Sequence, residues 1–146
     1  MAVPDYVLIQ ENLVALIQTV DGFKNVLMEG SEAEVGNLGY MPVCNVRMTE
    51  AQSELVRIPN GYNEQLTMLV DILTFDFTSY SAAARLRSAL LKAVRDKLLE
   101  NPHFDPQILT SQLNGGVTFG AFTAEGNRGH VAMATITVIC EIDVEV

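Results

Sequence analysis

The sequence predicts an α+β fold: a mostly antiparallel sheet of four to six strands, two main helices packed on it, and a C-terminal β-hairpin. Three observations predict this. The run His130 to Val146 alternates apolar and polar residues almost to its last position, the mark of one long strand with a buried face and a wet, acidic face. Two other segments carry apolar residues at helical spacing. Strand-like runs outnumber those two and follow one another through turn signals. The 146 residues suit a single domain over 1–146, and 49% hydrophobic content is enough for a packed core.

Pro4-Asp5 marks a helix start, and Tyr6, Ile9, Leu13, Leu16, Ile17 and Val20 recur along one stripe of a helix over 5–20. Gln10, Glu11, Asn12 and Gln18 fall on or near its other side. Asp21-Gly22 stops it, and Phe23 to Met28 reads as a short strand. Glu29 to Tyr40 has three glutamates (Glu29, Glu32, Glu34), three glycines and no periodicity, and reads as a mobile acidic loop. Met41 to Met48 and Ser53 to Ile58 read as two strands, followed by a turn at Pro59-Asn60-Gly61 that extends toward Glu64. Leu66 to Phe77 is apolar on both faces, as a central strand covered on two sides must be.

Thr78 to Ser81 supplies N-cap chemistry for the principal helix, over 80–100, which Asn101-Pro102 ends. Its apolar stripe is Ala83, Leu86, Leu90, Val94 and Leu98. Arg85, Lys92 and Arg95 fall on the opposite face. That strip is either a solvated face or a docking strip for an acidic strand face on a neighbouring subunit. His103 to Gln112 is a connector, Leu113 to Ala124 a glycine-rich strand, and Glu125 to Gly129 the hairpin turn into the last strand. At about 3.3 Å per residue that last strand runs roughly 50 Å, well beyond ordinary strands. It either bends sharply or pairs in part outside its own subunit, and the second is the working expectation.

The net charge of −9 argues against gripping nucleic acid, since that requires neutralising phosphates. No leader-like start and no membrane-length apolar run is present in the sequence. Cys44 and Cys140 read as small buried hydrophobes rather than a disulfide framework. Gly115, Gly116 and Gly120 resemble a phosphate loop in content only, because a strand and not a helix follows them, so a twisted or bulged strand explains them better. His103 and His130 lack metal-site spacing. No nucleophile, zinc or nucleotide motif occurs, so no catalytic residue, cofactor or metal is expected. The least bad carboxylate pair for glycoside chemistry is Asp71 with Asp143.

The element order resembles the tail terminator (tail-completion) proteins of tailed bacteriophages. The features are the amphipathic N-terminal helix, the strand ending Thr74-Phe75-Asp76-Phe77, the Ser/Ala-rich entry into a basic helix over Ser79 to Glu100, and the terminal hairpin. The resemblance covers nearly the whole chain and carries no diagnostic motif. It implies a non-enzymatic virion protein made in the host cytoplasm. It further implies a homo-oligomeric, hexameric ring that ends polymerisation of the tail tube and meets a neck (head-closure) protein, with DNA passing through unbound. In that setting Arg85, Lys92 and Arg95 with Glu141, Asp143 and Glu145 are candidates for the subunit interface. Glu29, Glu32 and Glu34 are candidates for a partner or lumen loop. Another head–tail connector ring, or a small α+β enzyme or binding protein, is the alternative.

Overall fold

The computed structural model describes residues 4–57, 61–123 and 129–145. It is α+β, with one five-stranded, mostly antiparallel sheet. The elements are α1 (Tyr6–Gln18), β1 (Asn25–Met28), α2 (Glu32–Val35), a 3-10 turn (Leu38–Tyr40), β2 (Val43–Arg57), β3 (Gly61–Asp76), α3 (Tyr80–Glu100), β4 (Thr110–Thr123) and β5 (His130–Glu145). The strand order is β1-β2-β3-β5-β4, and only β1–β2 is parallel.

Side chains alternate across the sheet, so one face collects Cys44 and Val46 of β2, Leu66 to Ile72 at even positions of β3, and Ala134 to Ile142 at even positions of β5. Both long helices cover that face: α1 lies over β1 and β2, and α3 over β3 and β5. Asp5 caps α1 by accepting from Leu8 N at 3.1 Å, and Ser79 caps α3 by accepting from Ala82 N at 3.0 Å. Ile9, Leu13 and Ile17 of α1 are fully buried, each contributing about 1.5–3 kcal/mol of apolar transfer. Gln10 does not lie on the wet side. It is buried, and its Nε2 donates to the Val46 carbonyl at 3.0 Å, tying helix to sheet.

The long last strand is paired within its own subunit, contrary to the expectation of outside pairing. β3 matches it residue for residue, from Asp76 opposite His130 to Gly61 opposite Glu145. Polar residues at Asn63, Glu64 and Gln65 hid the length of β3, because a strand with neighbours on both sides needs ladder partners more than apolar character. Glu64 itself is buried, accepting from Ser53 Oγ at 3.0 Å and from the Tyr6 hydroxyl under α1. β2 is likewise one strand rather than two, with a register shift between Met48 and Glu50 where the sequence suggested a break.

The segment 29–40 is also more ordered than its composition suggested. Ser31 and Glu34 form a reciprocal capping box on α2. Val35 and Leu38 of the segment pack on a second small core of Met41, Val43, Leu73 and Val131, on the other sheet face. β4 bulges between Leu113 and Val117, with Gly115 at φ +44°, as expected for its glycines. The Glu125–Gly129 turn lies outside the described residues save Gly129, and Pro59-Asn60 lies outside them too.

Candidate functional site

The described residues hold no group of three His, Cys, Asp or Glu side chains arranged for a metal ion. The carboxylate pair Asp71 and Asp143 does not come together. Asp71 sits opposite Thr135, eight residues (135 to 143) from Asp143 along β5, which at about 3.3 Å each is roughly 26 Å. Glycoside chemistry needs carboxyls about 5–10 Å apart. Asp71 is instead a cross-strand tie: Arg47 Nε donates to it at 2.7 Å and Thr135 Oγ1 at 2.6 Å, linking β2, β3 and β5 on the face away from the helices. The Asp71 hydrogen bond holds the Arg47 guanidinium above its ordinary value. Both cysteines are buried and free. Burial raises the Cys44 thiol, with the Asp71 charge adding to it, and pushes Cys140 up to about 12, with Asp105 adding.

The surface carries sharper signals. Arg85, Lys92 and Arg95 are all exposed on the outer side of α3. Lys92 Nζ reaches Asp96 at 2.8 Å, which raises the pKa of the ammonium. A groove of about 390 Å³ runs between this side of α3 and β4, lined by Leu91, Lys92, Arg95, Asp96, Leu99 and Phe119 among others. It exists because α3 packs chiefly over β3 and β5, and reaches the outer strand through Arg87 at Phe119 and Gly120. Phe119 pairs with Ala134 and so points to the helix side, yet it is 56% exposed, and Leu99 is 65% exposed.

Against Phe119 packs Arg87, which the spacing of the apolar stripe did not single out. It is buried, its guanidinium carbon is 4.8 Å from the Phe119 ring centre, and Nη1 donates to the Tyr80 hydroxyl at 2.9 Å. Its buried Nε has no hydrogen-bond partner among the described residues. A signal for it existed: Arg87 falls four residues after Ala83 and three before Leu90, on the buried stripe. Leu86, assigned to that stripe, is 39% exposed.

The acidic candidates fall in two other places. Glu141 and Asp143 lie on the sheet face turned away from the helices, Glu141 half-buried and Asp143 exposed beside Asn63 Nδ2 at 3.4 Å. Glu145 continues the same strand. Glu29 and Glu34 have local duties, Glu29 accepting from Met48 N at 2.8 Å and Glu34 from Ser31 N at 3.1 Å. Glu32 is exposed on α2. The basic strip and the Glu141–Asp143 row are thus on opposite faces of one sheet, and one subunit cannot join them.

No protein-family model and no curated protein matches the chain. Among solved structures, a chain of the virion of a native gene transfer agent (GTA) particle is similar, with a TM-score of 0.47 and 13% identity over 90% of this chain and 84% of that one.

Proposed function

We propose that this chain is a structural virion subunit of tail-terminator type. It forms a ring at the head-proximal end of a tail tube, ends tube polymerisation and joins the tail to the neck. One observation carries the reading: a basic strip on α3, where Lys92 is paired with Asp96 and Arg85 and Arg95 are in no ion pair among the described residues, and an acidic row on the opposite sheet face that the same subunit cannot bring to it. Surfaces of opposite sign on different sides of one subunit suit head-to-tail contact, which closes into a ring when the rotation allows. The element order that resembles tail terminators supports the same reading.

In this reading Arg85, Lys92 and Arg95 meet an acidic surface of the next subunit. The Glu141, Asp143 and Glu145 row and the Glu29, Glu32 and Glu34 segment are the surfaces available to the neighbour, the lumen or the neck. An acidic lumen repels the DNA phosphates and lets DNA pass without sticking. Light scattering on the purified chain, with negative-stain images of the same peak, tests the proposal. A species of about six subunits with a central hole is expected. A particle of 16.0 kDa at every concentration, both alone and mixed with tail tubes, would remove it.

A further inference from the structure

The two ends of the sheet differ in charge and both expose apolar side chains. At the β4 end lies the groove, with Phe119 and Leu99 on its floor and wall and Lys92 and Arg95 on its rim. Arg87 packs on the Phe119 ring, with Nη1 donating to the Tyr80 hydroxyl at 2.9 Å and to the Gly120 and Met133 carbonyls at 3.4 Å. At the β1–β2 end α1 exposes Val7, Leu8 and Glu11, β1 exposes Met28, and Glu32 and Glu50 follow on α2 and β2. The cations here are Lys24, Arg47 and, at the far end of β2, Arg57, and Arg47 is held by Asp71. The two ends also share a backbone feature. β4 is an outer strand, and β1 covers β2 only from Val43 to Val46, so beyond Met48 the outer edge of β2 has no strand partner among the described residues. Free strand edges are surfaces that proteins either protect or use for pairing.

We infer that the α3–β4 groove receives the β1–β2 end of a second copy of this chain, so that neighbours join edge to edge with the sheets side by side. This rests on the ring reading and names the neighbour's surface. Both this end and the Glu141–Asp143 row are opposite in charge to the groove's rim, and two features favour this end. Apolar groups are present on both sides of the contact, whereas Asp143 and Asn63 offer polar groups only. Both surfaces lie at ends of one sheet, so the contact repeats without turning a subunit over.

The test uses three full-length variants: R85E/K92E/R95E, E11K/E32K/E50K and E141K/D143K. Mass is read by light scattering for each alone and for the first two mixed in equal amounts. The residues chosen are exposed, save the half-buried Glu141, and none lies in a core. Circular dichroism and a cooperative thermal transition check that each variant is folded. The expected result is that the first two variants stay monomeric, their mixture assembles to the native mass, and E141K/D143K assembles alone. The mixture restores assembly because each reversed surface then meets its reversed counterpart, and each unchanged surface its unchanged one. If E11K/E32K/E50K assembles like the native chain while E141K/D143K does not, the neighbour's surface is the β5 row, and this inference fails while the ring reading stands. If the native chain and the mixture both remain at 16.0 kDa, the ring reading fails with it.

Discussion

Single residues in this protein do more structural work than their types suggest. Cys44 and Cys140 lie wholly within the core, and burial raises both thiols. The thiolate is the reactive form. Neither cysteine should therefore react with an aromatic disulfide reagent at mildly alkaline pH in the native state, and both should react in denaturant; fast native labelling would contradict their burial. Asp76 shows a different kind of leverage. Its Oδ2 accepts from Thr78 Oγ1 at 2.8 Å, Ser79 N at 2.9 Å and Thr78 N at 2.9 Å, fixing the turn into α3. The Thr78 side-chain bond first, then the two backbone bonds, hold this carboxyl below its ordinary value. A depressed carboxyl contributes stability that is complete above its unfolded value of about 3.9 and is lost as pH falls through the lower folded value. Asp76→Asn should therefore lower the urea midpoint at neutral pH, and the gap to the native chain should narrow as the pH falls below the unfolded value of about 3.9 and through the lower folded value. A gap that persists unchanged in acid would mean the charge contributes nothing. Gln10 and Arg87 complete the scale: one is a polar residue anchoring a helix to a strand carbonyl, the other a cation held on an apolar stripe.

At the scale of elements, length and pairing decide what is stable. β5 is flanked by β3 along its whole course, but β4 accompanies it only as far as Glu141. The last pairs, Asn63 with Asp143, Tyr62 with Val144 and Gly61 with Glu145, therefore hold on one side only. Ending the chain after Ile142 should leave a folded protein, weakened by about 1–3 kcal/mol for a few lost ladder bonds. Urea unfolding followed by circular dichroism measures this. A truncated chain without a cooperative transition would show that these residues hold the core. α1 is the opposite case, since its buried stripe is continuous with the sheet core. Leu13→Ala, at a fully buried position, should cost about 2–5 kcal/mol.

For the whole molecule the dominant quantity is charge. Eighteen acidic against nine basic residues set the average field, and five of the nine cations are gathered on α3. Nucleic acid binds proteins by releasing counterions from phosphates, and this surface offers few cations to do it. A short DNA duplex at about 0.1 M salt should keep its electrophoretic mobility when the protein is added. A retarded band would mean that the basic strip serves DNA rather than a neighbouring subunit.

Much of the architecture was legible in the residues themselves. Period-2 alternation placed β5 and its buried face, helical spacing and caps placed α1 and α3, and the glycines of β4 announced its bulge, because each is a local preference written within a few residues. The sequence by itself thus determined the α+β class, the two helices and the acidic balance. Only the tertiary structure decided that β3 begins at Gly61, that 29–40 folds over a second small core, and that Arg87 is buried while Leu86 is not. It also decided that α3 packs chiefly over β3 and β5 and leaves a groove between its basic side and β4. These outcomes depend on which strand lies beside which and how far a helix reaches across them, and contacts between residues distant in sequence set both.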